Sequence, residues 1–182
     1  MINMINNSSN NRTYALVLSA MFLALALVLP LITMQLPEMG NALCPMHFPV
    51  LLCGFICGPW YAGAVGLIAP ILRFALFGMP EIFPRGIVMC LELATYGVVS
   101  GILYKVLPKN MKNVYVSLIG AMIAGRITWG IAKTILYGMG KVEFGWLMFI
   151  SGGFIEALPG IVIQILLIPG IVKVVMRGEQ LS

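Results

Sequence analysis

The sequence has little charge for its length, and it contains no aspartate. Only 9% of its 182 residues are charged, whereas soluble domains carry about 25%. It has one histidine, no His-Glu-x-x-His helix, no Gly-x-Ser-x-Gly elbow and no Gly-x-x-x-x-Gly-Lys loop; these are patterns of metalloproteases, serine hydrolases and phosphate-binding loops. We therefore predict that the chain is neither a soluble domain nor an enzyme, that it has no catalytic residue, and that it hydrolyses no ATP.

The cysteines and the net charge exclude two further classes. There is no Cys-x-x-Cys pair, and no histidine accompanies Cys53 and Cys57, which are four residues apart; a zinc site needs about four ligands. We expect all four cysteines to be small packing residues and the chain to bind no metal and no cofactor. The net charge of +5 comes from basic residues that mostly border apolar segments, which fits membrane topology better than nucleic-acid binding.

Hydrophobic runs fill most of the chain and predict an all-α membrane protein with six transmembrane helices. Hydrophobic residues make up 60% of the sequence, and a span needs about 20 residues. The predicted spans cover about residues 14–34, 50–56, 60–77, 86–104, 114–137 and 146–173. The second is short for a span and is expected to be tilted or partly broken. We predict one domain over residues 1–182, with residues 1–12 as a disordered tail.

The basic loop residues predict that both termini are cytoplasmic. With that orientation, only Arg85 and Lys141 lie in outer loops. The cytoplasmic side then carries Arg12, Lys105, Lys109, Lys112, Lys173 and Arg177. This is the bias that the positive-inside rule describes.

Five ionisable residues interrupt the predicted spans: Arg73, Glu92, Arg126, Lys133 and Glu156. A charge at membrane depth costs at least about 2.5–3.5 kcal/mol, so it normally faces a cavity, a partner or a ligand. A helical rise of ~1.5 Å per residue places all five toward the outer side. They either line a ligand pocket that opens outward or neutralise one another as internal ion pairs. Three positive and two negative charges leave one surplus positive charge, which favours a ligand with a carboxylate.

Three further residues are candidates for the same pocket. Tyr96 shares a helical face with Glu92, and Trp129 lies deep in the fifth span. His47 precedes the second span at the predicted outer mouth, where it either contacts substrate or forms an ordinary loop hydrogen bond. Trp129 could equally be a packing residue or an interfacial anchor.

Small residues follow one another along the first helix, where Ala20 and Ala24 are four residues apart. A small-xxx-small pattern lets another helix approach closely. The pattern is common by chance in apolar sequence, so it indicates a docking face only together with other observations.

Several segments resemble the S component, the substrate-binding subunit, of energy-coupling-factor (ECF) vitamin transporters. They are Met46-His47-Phe48-Pro49-Val50-Leu51-Leu52-Cys53-Gly54-Phe55, then Gly58-Pro59, Gly63, Gly66, Pro70 and Arg73, then Leu76-Phe77-Gly78-Met79-Pro80, and finally Glu92-Leu93-Ala94-Thr95-Tyr96-Gly97. The resemblance is strongest over about residues 46–101, and the helix number and loop placement agree over nearly the whole chain.

The resemblance implies a multi-pass protein of the bacterial plasma membrane that binds one vitamin or related micronutrient from outside. The family's site is built from the outer loops and the outer halves of the later helices, where the five charges lie. The resemblance also implies that the first helix docks, through a face matched by Ala20 and Ala24, on a transmembrane coupling subunit with two ATPases. Pantothenate fits the surplus positive charge; a flavin, another B vitamin or a deazaguanine precursor are alternatives. A different class of function, a membrane scaffold whose charges are structural, also fits the composition.

Overall fold

The computed structural model describes residues 9–33, 43–79, 81–139 and 157–180, and six helices account for most of them. The helices are α1 (Ser9–Thr33), α2 (His47–Ile56), α3 (Pro59–Phe77), α4 (Ile87–Val106), α5 (Met111–Met139) and α6 (Leu158–Gln180). The predicted all-α membrane class is thus confirmed for the described part of the chain. Five of its helices are long and apolar enough to cross a membrane, whereas α2 has only 10 residues.

The predicted helix boundaries agree closely with the structure, except at the two ends of the chain. Helix α1 begins at Ser9, so residues 9–12 of the predicted tail are helical, and the rest of that tail lies outside the described residues. The predicted start of the sixth span near residue 146 also lies outside them, and α6 is described from Leu158.

Glycines with a positive φ end the second and third helices. Gly58, with φ of 96°, separates α2 from α3, and Pro59 then begins α3. Gly78, with φ of 71°, is the left-handed C-cap of α3 and donates its N–H to the Phe74 carbonyl. A kinked segment, Ile82–Gly86, in which the Phe83 backbone is extended (φ −114°, ψ 131°), leads into α4. Only glycine adopts a positive φ without strain. Gly58 and Gly78 therefore allow short turns that reverse the chain and bring α2, α3 and α4 together.

Helix α4 lies at the centre of the bundle because small residues let its neighbours approach its backbone. A Cβ atom at Gly66 of α3 would lie 2.5 Å from the Leu93 backbone, and one at Gly97 of α4 would lie 2.6 Å from the Ala62 backbone. On α2, a Cβ at Gly54 would meet Ser100 Oγ and the Gly97 carbonyl. Close packing of this kind replaces the hydrophobic driving force that helices lack inside a bilayer.

Helix α1 packs one face on the bundle and leaves the opposite face open. The buried face includes Ala15, Ser19 and Ala26, and Ser19 Oγ donates to the Ala15 carbonyl at 2.6 Å. Ala20 and Ala24 are both exposed. The pattern that predicted a docking face therefore lies on the surface of the described structure.

Candidate functional site

Three helices bring one cluster of polar side chains together near one end of the bundle. Glu92 and Tyr96 are one turn apart on α4, Arg126 lies on α5, and His47 is the first residue of α2. Cys44 precedes α2. We call these five residues the Glu92 cluster. The antiparallel arrangement explains the grouping, since the beginnings of α2 and α4 and the second half of α5 meet at the same end.

The Glu92 carboxylate is the centre of the cluster. Its Oε1 atom lies 3.1 Å from Arg126 Nη1 and 3.3 Å from His47 Nε2. Glu92 is 2% exposed, His47 5% and Arg126 6%, so water screens these charges poorly. A buried charge is tolerated only next to an opposite charge or a set of hydrogen bonds, and the juxtaposition of Glu92 with Arg126 supplies the opposite charge.

Several buried polar atoms of the cluster make no hydrogen bond to any described residue. Within the described residues, Glu92 Oε1, Arg126 Nε and both ring nitrogens of His47 are buried and make no hydrogen bond. A buried donor or acceptor that lacks both a hydrogen bond and an opposite charge costs about 1–3 kcal/mol, and native proteins satisfy nearly all buried polar groups. The cluster thus keeps both donor and acceptor capacity that the described residues leave unused.

Tyr96 forms an aromatic wall beside the carboxylate. Its ring meets the His47 ring edge to face, with centroids 5.0 Å apart, and its phenol approaches Glu92. Gly125, the residue before Arg126, allows this, because a Cβ there would lie 2.6 Å from the Tyr96 ring. Tyr96, which was predicted from its spacing to Glu92, therefore lies in the cluster.

Cys44 is a member that the sequence pattern did not reveal. Its Sγ lies 3.8 Å from Arg126 Nη2, and its carbonyl accepts the His47 N–H at 3.0 Å. Its backbone is left-handed, with φ of 45°, which is uncommon for a residue other than glycine. Burial raises the pKa of the Cys44 thiol, so the group is neutral at pH 7. The sequence predicts only a packing residue at Cys44, because nothing in the pattern places it near Arg126.

Arg73 has other contacts. Its side chain, 4% exposed, donates from Nη1 to the Leu27 carbonyl of α1 at 3.3 Å and lies over the Phe77 ring at 5.8 Å. These contacts direct the guanidinium toward α1. Arg73 thus has at least these two contacts outside the Glu92 cluster.

Trp129 and Lys133 form a pair of their own on α5. The Lys133 ammonium lies 4.4 Å from the centroid of the Trp129 ring, and both side chains are half-buried. This is a cation–π geometry, which the spacing of four residues permits. The remaining predicted site residue, Glu156, lies outside the described residues.

The distribution of charge differs from the sequence-based count. Glu92 and Arg126 balance each other inside the cluster, whereas Arg73 contacts α1 and Lys133 contacts Trp129. The surplus positive charge that favoured a carboxylate ligand is therefore not concentrated at the Glu92 carboxylate.

An open cavity of about 230 Å³ lies on a different face of α4. Its lining is Pro70, Ile71, Ile82, Gly86, Ile87, Cys90 and Leu91. Ile71, Ile82 and Leu91 are exposed large hydrophobic side chains. An apolar groove of this kind suits the hydrocarbon of a bilayer and offers no polar partner to a water-soluble ligand. Among the described residues, no group of three or more histidine, cysteine or acidic side chains could hold a metal ion.

Comparison with protein families gives one assignment. The family model described as "ECF transporter, substrate-specific component" matches residues 14–172, which cover most of α1, all of α2 to α5 and most of α6. Comparisons with curated proteins and with solved structures gave no match.

Proposed function

We propose, from the premise that this chain belongs to the family of ECF transporter substrate-specific components, that it captures one small polar micronutrient at the Glu92 cluster. The chain is a multi-pass membrane protein and the substrate-binding subunit of an ECF importer rather than a catalytic subunit. The observation that supports the Glu92 cluster as its site is the set of buried polar atoms on His47, Glu92 and Arg126 that make no hydrogen bond within the described part of the chain.

The chemistry of these atoms favours a ligand that both donates and accepts hydrogen bonds. Glu92 Oε1 accepts, Arg126 Nε donates, and each ring nitrogen of His47 does one or the other according to tautomer. Pantothenate combines a carboxylate with hydroxyl groups and an amide, so it is our first candidate. A flavin, another B vitamin and a deazaguanine precursor are the alternatives that the experiment below separates.

We extend the site along α5 to Trp129 and Lys133. Lys133 follows Arg126 by about two helical turns, toward the end of α5 that meets the beginning of α4. A carboxylate placed there would accept from the Lys133 ammonium, while the rest of the ligand packs on the Trp129 and Tyr96 rings. Glu156, which precedes α6, stays a predicted member of the site.

We propose that the site opens to the outer side of a bacterial plasma membrane, since the basic loop residues lie mostly at the opposite end. Substrate-specific components associate in the membrane with the other subunits of an ECF importer. In this chain we assign the contact with the transmembrane coupling subunit to the exposed Ala20 and Ala24 of α1. The two ATPases of that complex would supply the energy for transport.

A melting experiment on the purified chain in detergent tests the proposed ligand. A ligand that binds only the folded state adds RT ln(1 + [L]/Kd) of stability, about 4.1 kcal/mol at 1,000 times Kd. We expect pantothenate, within a panel of vitamins and deazaguanine precursors, to raise the melting temperature. Pantothenol, in which an alcohol replaces the carboxylate, is the matched control and should raise it much less.

The panel also distinguishes the alternatives. A shift produced by another compound but not by pantothenate would reassign the ligand. If no compound in the panel shifts the melting temperature, the binding of a vitamin-like ligand by this chain is contradicted.

A further inference from the structure

We infer that Arg73 is a positioning residue for α1, holding the turn around Pro30 against α3, and does not contact substrate. The inference uses the docking role proposed above for α1, and it revises the expectation that Arg73 binds ligand. It starts from a single contact, the donation from Arg73 Nη1 to the Leu27 carbonyl at 3.3 Å.

Pro30 explains why α1 needs a donor from outside at this turn. Proline has no backbone N–H, so residue 30 cannot donate to the Ala26 carbonyl, and its ring pushes that carbonyl away and opens the turn. Inside a bilayer no water satisfies weakened carbonyls, and neighbouring helices do so instead. The Leu27 carbonyl lies in this turn, three residues before Pro30, and Arg73 donates to it from α3.

The surroundings of Arg73 fit a structural anchor. Ala26 of α1 and Ala69 of α3 are both fully buried in the same apolar cluster, and Arg73 follows Ala69 by one turn. The helices are therefore in contact immediately beside the hydrogen bond. With a side chain only 4% exposed, the arginine is buried beside the α1–α3 contact.

The anchored turn belongs to the docking stripe. Leu27 follows Ala24 by three residues and Ala20 by seven, which places the three on one side of α1. The hydrogen bond would thus fix the direction of the outer half of α1 relative to α3 and hold the alanine face in place up to Pro30. Loss of the Arg73–Leu27 hydrogen bond would let α1 bend at Pro30 and would weaken docking. The positions of His47, Glu92 and Arg126 would not change.

Hydrogen–deuterium exchange of the isolated chain, read by mass spectrometry, tests the anchor without a ligand or a partner. The variant is Arg73→Met, which keeps side-chain length, leaves no cavity and removes a charge that a bilayer disfavours. We expect amides of the α1 segment around residues 27–31 to exchange on the order of tenfold faster, with no change in α4 and α5. Arg73→Lys keeps a donor and should restore slow exchange. Arg85→Ala removes an exposed arginine near the same end of α3 and should change nothing in α1.

A second substitution tests whether the effect of Arg73→Met depends on Pro30. In a Pro30→Ala background residue 30 regains its N–H and α1 straightens, so Arg73→Met should change exchange by less than about twofold. Equal effects of Arg73→Met in both backgrounds, or no effect in either, would overturn the inference.

Co-purification with the coupling subunit then connects the anchor to transport. We expect Arg73→Met to lower the recovered complex several-fold, while the pantothenate-induced melting shift of the isolated chain stays as in the wild type. A faster exchange of α1 with an unchanged yield of complex would overturn the link to docking. If Ala20→Trp also left the yield unchanged, the proposed docking face itself would be wrong. A lost melting shift in Arg73→Met would instead return Arg73 to the substrate site.

Discussion

The ion pair between Glu92 and Arg126 dominates the energetics of the site at the scale of single residues. Both side chains are almost fully buried, and their charges lie 3.1 Å apart. Removing one partner of a buried pair costs about 3–5 kcal/mol because the other charge is left uncompensated, whereas replacing both is often nearly neutral. Binding and stability can therefore be separated experimentally.

We predict that Arg126→Ala lowers the affinity for ligand by about 10- to 100-fold, the cost of one charge-assisted hydrogen bond, and also lowers the melting temperature. The double variant Glu92→Gln/Arg126→Gln should recover the melting temperature but not the affinity. Isothermal titration and thermal unfolding in detergent measure the two quantities. Wild-type affinity in the double variant would show that the pair is purely structural.

Cys44 provides a chemical test of access to the cluster. It is half-exposed, whereas Cys53, Cys57 and Cys90 are buried, so a water-soluble maleimide should label one cysteine per folded chain. Bound ligand should slow this labelling. Because the pKa of the Cys44 thiol is raised, its thiolate is scarce at pH 7 and the labelling rate should increase as the pH rises through 8 and 9. Intact mass spectrometry follows the reaction.

The control for this experiment is Cys44→Ser, which should leave the folded chain unlabelled. Equal labelling rates with and without a ligand that raises the melting temperature would place the bound ligand away from Cys44.

At the scale of the helices, glycines decide how closely α3 and α4 cross. A Cβ at Gly66 would meet the Leu93 backbone, which cannot move aside as a side chain could, whereas a Cβ at Gly170 of α6 would meet nothing within 4 Å. We predict that Gly66→Ala destabilises the chain by about 1–3 kcal/mol. Gly170→Ala should be neutral or stabilising by up to about 1 kcal/mol, because alanine is the better helix former.

Thermal unfolding of the two variants in the same detergent compares them directly. Equal melting temperatures for Gly66→Ala and Gly170→Ala would mean that α3 and α4 are not in backbone contact at this position.

The sequence predicts the helices better than it predicts the site, for a physical reason. Apolar runs between glycine and proline punctuation are local signals, and they mark α2, α3 and the turn at Gly78 correctly. Depth along a helix is also local, so Glu92 and Arg126 could be placed at similar heights from spacing alone. For His47 the sequence predicts a position at the same outer mouth, but it does not predict a contact with Glu92.

The sequence does not predict the tertiary contacts of Arg73 and Cys44. The depth of Arg73 groups it with the other charges, and the sequence does not predict its hydrogen bond to a backbone carbonyl of α1, because a carbonyl has no sequence signature. The sequence predicts only a packing residue at Cys44. Its contact with Arg126 connects residues that are 82 positions apart, so no local pattern reveals it. Both cases depend on tertiary contacts that periodicity cannot encode.

At the scale of the whole molecule, the proposed site and the proposed docking face occupy different parts of the chain. The Glu92 cluster lies among α2, α4 and α5, while Ala20 and Ala24 face outward on α1. Substrate capture and attachment to the coupling subunit should therefore be separable by mutation.

We predict that Ala20→Trp and Ala24→Trp abolish assembly with the coupling subunit and uptake into cells, because tight helix contact in a bilayer needs small residues. Ligand-induced melting shifts of the isolated chain should stay near the wild-type value. Leu166→Trp, at a 69% exposed position of α6, is the matched control and should assemble normally. Retained assembly in both alanine variants would rule out this docking face, and loss of ligand binding together with assembly would indicate a damaged fold.

The most direct test of the proposed binding site is an experimental structure of the chain with the ligand that stabilises it. We predict that polar atoms of the ligand lie within hydrogen-bonding distance of Glu92 Oε1 and Arg126 Nε, and that His47 has moved from its 3.3 Å contact with Glu92 or donates to the ligand. A ligand bound elsewhere, with His47, Glu92 and Arg126 arranged as they are here, would contradict the assignment of the Glu92 cluster as the substrate site.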